Sequence, residues 1–260
     1  MLNIRRVSVL LAFTGSAFLM AGQASAQSKS TRVAWAPSYG GSCVSCDLRG
    51  RNMSGGDISA ANYPGANLSG AFLRGTRALN VNLTGVVAGG TDFRRATLDG
   101  SKFINGQFDS SRFERASLLN VDLSGANFSN THLTGAHFGA ATATGANFSH
   151  SLASGADFSG ANLTDATFVG ASLRDAQFNN AVLNGTSFAG ADLQNARLTN
   201  TRLVNVSFEG AAGLEQTIFD GSCAGENTNV PAGISLIACQ AVHLPHSDEL
   251  RGGLIQTADK

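Results

Sequence analysis

The sequence predicts an all-β solenoid, in which the chain winds into stacked coils of short strands and turns. Between Cys46 and Gly210 it divides into 33 consecutive pentapeptides without an insertion or deletion. The third residue of every unit is apolar or aromatic, and the first is small in every unit except the one that starts at Arg51. A period of five matches neither the helix period of 3.6 nor the strand period of 2. Two inward positions in every five therefore indicate short strand-like sides joined by turns.

The fifth position of the unit predicts where the chain turns. Glycine recurs there, as at Gly65, Gly70, Gly125 and Gly145, and Asn or Asp occupies many of the other fifth positions. These residue types tolerate a positive φ or form side-chain turns at little energetic cost. The second and fourth positions are mostly Asn, Asp, Ser, Thr and Arg, so we expect them to face solvent. A chain that turns this often has to wind as a solenoid.

The order of the large residues predicts four units per coil. From Phe128 to Leu193 the third positions alternate strictly between Phe and an aliphatic residue. Three sides per coil would mix Phe with Leu in every column, whereas four sides sort them into two Phe faces and two aliphatic faces. Identical side chains in register pack well between stacked coils. Taking every fourth unit, the predicted core ladder contains Phe108, Phe128, Phe148, Phe168, Phe188 and Phe208.

Units such as residues 156–160 (ADFSG) and 161–165 (ANLTD) resemble the A(D/N)LXX consensus of the pentapeptide-repeat family. The resemblance extends over about two-thirds of the chain. It implies a right-handed quadrilateral parallel β-helix, in which the first and third residues of each unit fill a narrow square bore. The predicted fold class is therefore all-β, a right-handed quadrilateral β-helix (solenoid) with four pentapeptides per coil.

The segment before the repeat has the three parts of a secretory signal. Arg5 and Arg6 are basic, residues 7–20 are apolar, and residues 24–26 form a small-residue cleavage site. A membrane anchor would need a longer apolar span. We therefore expect a bacterial protein that is periplasmic or secreted, with no membrane span in the mature chain. The predicted segments are a signal peptide (1–26), a flexible lead-in (27–42), the β-helix (43–223), a disulfide-held cap (224–240) and a flexible tail (241–260).

The chain contains four cysteines, at Cys43, Cys46, Cys223 and Cys239. Nine predicted coils separate the two pairs, about 43 Å at ~4.8 Å per coil. Because a disulfide requires Cα atoms within about 7 Å, only Cys43–Cys46 and Cys223–Cys239 are feasible disulfides. A thioredoxin-like redox motif at the first pair would need a helix N-terminus, and a zinc site would need four ligands. Structural disulfides are the favoured interpretation.

After Gly210 the repeat pattern decays. The inward phase can be followed through Gly213 and Ile218 to Cys223, which we therefore expect to point inward past the last regular unit. Residues 230–237 are expected to add one irregular strand over the last coil, held there by the second disulfide. Atypical units at a solenoid end are expected, because the end would otherwise be an open sheet edge.

Charge and composition favour neither a catalytic nor a metal centre. Residues 43–115 contain nine basic and six acidic side chains, and residues 116–210 contain three and six. Neither half suggests the dense basic face that nucleic-acid binding needs. His132, His137 and His150 lie on neighbouring sides and would allow a surface metal site, but outward His at polar positions is the favoured interpretation. We predict no catalytic residue, no cofactor and no metal.

These features predict a non-enzymatic, exported scaffold that binds a protein partner of unknown identity, in an unknown oligomeric state. The family resemblance implies one alternative, a mimic of duplex DNA that protects a topoisomerase. That role needs a cytoplasmic address and a strongly acidic surface, whereas this chain has a predicted signal peptide and a formal net charge of zero. A carbohydrate-active β-helix enzyme is disfavoured because no carboxylates cluster.

Overall fold

Parallel backbone bridges join second-position residues that lie four pentapeptides apart in the chain. They recur at every unit, from the pair Ser42 and Asn62 to the pair Ser187 and Ser207. One coil therefore contains four pentapeptides. This spacing confirms the four-sided β-helix that the alternation of Phe with aliphatic residues predicts.

The computed structural model describes residues 41–230 and 233–239. The signal peptide predicted at 1–26 and the tail predicted at 241–260 lie outside the described residues, as does the lead-in up to residue 40. Those assignments stay predictions. Among the described residues, no helix is long and apolar enough to cross a membrane.

Each corner of the coil is a turn with a left-handed residue at the fifth position. All 33 fifth positions from Gly50 to Gly210 have positive φ, 17 of them at glycine. The turn is closed by a hydrogen bond such as that from the Ala71 N–H to the Leu68 carbonyl, 2.8 Å long. A positive φ at the third residue of a four-residue turn is the requirement of a type II turn. The abundance of Gly and Asn at the fifth position follows from this requirement.

The Asn or Asp at the second position stabilises the same corner from outside the bore. The Asn147 Oδ1 accepts a hydrogen bond from the Ser149 backbone N–H at 2.9 Å, and Asp157 accepts one from Ser159 at 2.9 Å. The Asn147 Nδ2 also donates to Asn127 Oδ1 in the preceding coil at 3.3 Å. This Asx turn explains physically why an acceptor side chain recurs two residues before the fourth position.

The core is a column of third-position side chains, all of which are buried, with Met53 the most exposed at 9%. The rings from Phe108 to Phe208 stack at centroid distances of 4.8 to 5.5 Å. On the opposite side Phe138, Phe158 and Phe178 stack at 4.8 and 5.1 Å. The two columns meet edge to face across the bore, as in the 5.5 Å contact of Phe148 with Phe158. Both geometries are favourable for aromatic pairs.

A 3₁₀ helix at Leu214–Gln216 interrupts the repeat near its end. Beyond it the bridged partners lie one residue farther apart in the chain at Arg197 and Ile218, and two residues farther apart at Ser207 and Asn229. Three short strands then form a parallel sheet in the order β1-β2-β3. They are β1 (Arg202–Leu203), β2 (Cys223–Ala224) and β3 (Ile237–Ala238).

The predicted inward phase of Ile218 and Cys223 is wrong. Cys223 pairs with Arg202, which is an outward second-position residue, and Ile218 likewise lies opposite an outward residue. The residue before Cys223, Ser222, points inward instead: it is buried, and its hydroxyl accepts a hydrogen bond from the Thr201 N–H at 2.8 Å. The change of phase begins at Gly213, which stands at a third position but has no side chain to bury. The next residue, Leu214, is buried there instead and is only 5% exposed.

Buried hydroxyls at the first position differ in their partners, which predicts opposite effects of the same substitution. The Ser151 hydroxyl is buried and has no hydrogen-bond partner among the described residues. The Ser101 hydroxyl donates to the Ala78 carbonyl at 2.9 Å and accepts from the Val81 N–H at 3.0 Å. We expect Ser151→Ala to raise the free energy of unfolding by about 1 kcal/mol, because an unpaired polar atom leaves the core.

Ser101→Ala is the matched control. It leaves a buried N–H and a carbonyl without their partner, so we expect it to lower the free energy of unfolding by roughly 1–3 kcal/mol. Urea unfolding followed by circular dichroism measures both values. A loss of stability in Ser151→Ala as large as that in Ser101→Ala would show that the Ser151 hydroxyl is satisfied in solution.

Candidate interaction surface

One side of the β-helix concentrates the positive charge of the chain. We call it the arginine face; its second-position residues are bridged in one row, which runs through Asn52, Phe72, Asp92, Arg112, His132, Leu152, Ser172 and Asp192. Of the 12 Lys and Arg residues in the described part of the chain, seven belong to the units of this side. They are Arg51, Arg74, Arg94, Arg95, Arg112, Arg115 and Arg174.

Three of these arginines are neutralised by carboxylates of the same face. Arg94 pairs with Asp92, and the hydrogen bonds from the Arg94 side chain hold the pKa of that carboxyl below its ordinary value. Arg112 pairs with Glu114 at 2.8 Å. Arg174 pairs with Asp192 at 2.6 Å on a later coil. These pairs fix the arginines close to the surface and remove them from the charge that is open to a partner.

The other four arginines have no carboxylate within 4.0 Å among the described residues. All four are exposed, and we call them the arginine cluster: Arg51, Arg74, Arg95 and Arg115. They occupy four successive coils, one in each. Because neighbouring parallel strands are about 4.8 Å apart, the cluster extends over about 14 Å along the β-helix axis.

Arg95 and Arg115 occupy an unusual position for arginine. Both are fifth-position residues in the left-handed conformation, with φ of 57° and 58°. A residue with a Cβ costs about 1–2 kcal/mol in this conformation relative to the right-handed one, and Gly and Asn are the types that visit it routinely. The corner of the coil directs both guanidinium groups away from the bore, one coil apart.

An aromatic side chain is exposed within the same face. Phe72 is 50% exposed and stands between Asn52 and Asp92 in the second-position row. Arg74 lies two positions farther along the same unit. An exposed aromatic ring beside guanidinium groups can make both apolar and cation–π contacts with a bound molecule.

The neighbouring side differs in its chemistry. Its second-position row from residue 67 to residue 207 is uncharged and mostly polar: Asn67, Val87, Gln107, Asn127, Asn147, Thr167, Ser187 and Ser207. Two links of this row are amide hydrogen bonds between coils, including the 3.4 Å bond from Asn127 to Gln107. Within the described residues, basic charge is thus concentrated on one side of the coil.

Two family models match the repeat. A model of the pentapeptide repeat region matches residues 91–168 and 111–188, and a model of eight pentapeptide copies matches residues 171–210. Residues 91–210 belong to the pentapeptide-repeat family. This membership agrees with the coil of four pentapeptides, and the fold is the right-handed quadrilateral β-helix of that family.

Solved structures of other pentapeptide-repeat proteins are similar to this chain. HetL from the cyanobacterium Nostoc sp. strain PCC 7120 is 20% identical, with 75% of this chain and 91% of HetL aligned and a TM-score of 0.36. A trypsin-treated variant of QnrB1, a plasmid-mediated fluoroquinolone resistance protein, is 21% identical, with 71% and 91% aligned and a TM-score of 0.47. Rfr23 from the cyanobacterium Cyanothece 51142 is 19% identical, with 73% and 91% aligned and a TM-score of 0.18. No curated protein sequence matches significantly.

The structure brings together the cysteines that the sequence pairs. The Cα atoms of Cys43 and Cys46 are 5.6 Å apart, and those of Cys223 and Cys239 are 4.9 Å apart. Both distances lie within the range that a disulfide spans. The second pair connects β2 to the residue after β3, so a disulfide there would hold the last strand against the final coil.

The three histidines singled out by the sequence do not converge. His132 and His137 lie on adjacent sides, and His150 is a fifth-position residue at a corner. The His132 Nδ1 is 3.9 Å from Glu114 Oε1. In the described ranges, 41–230 and 233–239, no group of three His, Cys, Asp or Glu side chains is placed to hold a metal ion.

The arginine face is not apparent in the linear order of charges along the chain. Counting charges along the chain gives nine basic and six acidic residues for 43–115, which looks nearly balanced. Sorting them by side shows that six of the nine basic residues share one side with only Asp92 and Glu114. The sequence does contain a sign of this face. Arg74 and Arg94 are separated by one coil length of four pentapeptides, and so are Arg95 and Arg115.

Proposed function

We propose that this pentapeptide-repeat protein is an exported, non-enzymatic scaffold that binds a partner protein along its arginine face. The observation that supports the proposal best is the arginine cluster, in which four exposed guanidinium groups on one side have no carboxylate within 4.0 Å among the described residues. Unpaired charge on a regular, rigid surface favours electrostatic docking of a complementary surface.

The non-enzymatic part of the proposal is supported by the family and by the core. The matching models indicate no enzyme family. The interior is filled by Phe, Leu and Ala side chains in register, so polar groups are displaced to the outer positions of a convex rod. Catalysis usually requires several polar groups that converge in a concavity.

A DNA mimic is the second candidate, and the arginine face weighs against it. A protein that replaces duplex DNA has to present closely spaced negative charge, since the duplex has one charge per about 1.7 Å of its axis. Here four exposed arginines, with no carboxylate within 4.0 Å among the described residues, give one side charge of the opposite sign between Arg51 and Arg115. The export signal expected at residues 1–26 also weighs against a partner in the cytoplasm.

Fractionation with a tagged full-length chain tests this proposal. We expect the protein outside the cytoplasm, beginning at Gln27, and a partner protein retained at a fixed stoichiometry. The partner should be lost from the double variant Arg95→Asn/Arg115→Asn, because two of the four unpaired charges are removed. Asparagine is suited to these positions, since eight other fifth positions of the repeat already have Asn with positive φ.

The matched control is Lys102→Asn/Arg197→Asn, which removes the same charge from two other sides of the β-helix. It should retain the partner. An intact Met1 on cytosolic protein would contradict export. Equal loss of the partner from both double variants would contradict binding through the arginine face.

A further inference from the structure

We infer that the partner of the arginine face is an acidic polypeptide segment with at least one apolar side chain among its carboxylates. The inference rests on the proposed function and names the chemistry of the partner. It is carried by the arginine cluster (Arg51, Arg74, Arg95 and Arg115) together with the exposed ring of Phe72.

The spacing of the cluster suits a short extended peptide. One unpaired arginine per coil over about 14 Å corresponds to roughly four or five residues of an extended chain at about 3.3 Å per residue. Alternate side chains of such a chain point to the same side, about 6.6 Å apart. Two or three carboxylates of such a segment can therefore face the cluster, and each can accept a bidentate pair of hydrogen bonds from a guanidinium, which is the interaction that arginine makes best.

Phe72 adds an apolar contact in the middle of the charged region. It belongs to the same coil as Arg74, the second coil of the cluster, and it is half exposed. An acidic segment with one leucine or similar residue could place that side chain on the ring while its carboxylates pair with the arginines on either side. Binding energy would then come from a desolvated apolar centre within a charged rim.

The same face fits a phosphate polymer or a lipid surface less well. Asp92 and Glu114 lie between the arginines and neutralise Arg94 and Arg112. Closely spaced phosphates would be forced against these two carboxylates, whereas a polypeptide can place neutral residues there. Four unpaired arginines are also few compared with the roughly 6–10 phosphate contacts that drive strong DNA binding. A lipid surface would favour several protruding apolar residues close together, whereas Phe72 is the one exposed large apolar side chain of this face in the described coils from Arg51 to Arg115.

Fluorescence anisotropy with two synthetic peptides tests the inference. One labelled peptide consists of glutamates, and the other has a central leucine among the glutamates. We expect both to bind the full chain at low ionic strength and to bind more weakly at about 0.15 M salt. Affinity should fall about tenfold in Arg95→Asn/Arg115→Asn, the combined effect of two exposed ion pairs. It should change by less than about twofold in Lys102→Asn/Arg197→Asn, because exposed charges on other sides are screened.

Phe72→Ser provides an independent readout. The leucine peptide should bind several-fold more tightly than the glutamate peptide to the unmodified chain, and this preference should disappear in the variant.

A duplex oligonucleotide and phosphatidylglycerol vesicles are measured in parallel. The inference is overturned if neither peptide binds, if both double variants weaken binding equally, if Phe72→Ser keeps the preference, or if the oligonucleotide or vesicles bind more tightly through Arg95 and Arg115. A cellular partner that depends on these arginines without an acidic segment would overturn it too, while leaving the proposed function intact.

Discussion

Phe148→Ala should lower the free energy of unfolding by about 3–5 kcal/mol, the usual effect of emptying a fully buried aromatic site. The ring stacks between Phe128 at 5.3 Å and Phe168 at 4.9 Å. It also makes edge contacts with Phe138 at 5.9 Å and Phe158 at 5.5 Å. Its removal takes one aromatic contact from each of these four neighbours, and urea unfolding followed by circular dichroism measures the loss.

The structure also limits how far this cavity can collapse. The same coil has alanine at its two aliphatic third positions, Ala143 and Ala153, both buried. No long side chain of that coil is therefore available to fill the space, so the effect should lie in the upper part of the range for such substitutions.

Asn147→Asp is the control for the adjacent position. The Asp side chain keeps the acceptor for the Ser149 N–H, as Asp157 does for Ser159. Only the 3.3 Å bond to Asn127 is lost. We expect a change of about 0.5 kcal/mol or less, typical of a surface substitution. A larger loss in Asn147→Asp than in Phe148→Ala would contradict the assignment of inward and outward positions.

Most of the fold could be predicted from the sequence because the constraint on each unit is local and repeated. A buried third residue, a small first residue and a fifth residue that tolerates positive φ are each visible in single units. The number of sides could also be predicted. The alternation of Phe with aliphatic residues from Phe128 to Leu193 separates into Phe columns and aliphatic columns with four units per coil, but not with three. The bridges between every fourth unit confirm this interpretation.

The end of the repeat was not predicted correctly, for a reason that lies in one residue. Gly213 offers no side chain for the third-position site, and the chain gains one residue through the 3₁₀ helix so that Leu214 can fill it. The same shift by one residue is seen at Phe219. In an unbroken period residue 218 would be the third position, but it is the ring of Phe219 that packs against Phe208, with the ring centroids 6.1 Å apart. The burial of the Leu214 side chain thus stabilises the fold more than an uninterrupted five-residue repeat would.

The candidate site was not predictable from composition or from charge along the chain. Linear counting averages over all four sides, while the solenoid separates them, so a nearly neutral segment can present a charged face. Once the coil length is known, the rows follow from the sequence alone. The environment of each arginine does not, because pairing of Arg94 with Asp92 and of Arg112 with Glu114 depends on side-chain geometry at the corner.

The coil of four pentapeptides is the central claim, because it produces both the Phe ladder and the arginine face. Engineered cysteines test it most directly. In Asn127→Cys/Asn147→Cys the two positions are bridged directly in neighbouring coils. Parallel neighbours about 4.8 Å apart lie within the Cα range of about 4.4–6.8 Å for a disulfide. We expect mild oxidation to link them nearly completely, as mapped by mass spectrometry of unreduced peptides.

The control is Asn127→Cys/Thr142→Cys, whose spacing of three pentapeptides would suit a three-sided coil. Thr142 is bridged to Asp122 and Asn162 on a different side of the β-helix, so no link should form in the folded protein. A link between positions 127 and 147 and none between 127 and 142 is the predicted result. A link between 127 and 142, or no link between 127 and 147 in a folded chain, would contradict the four-sided coil and with it the arginine face.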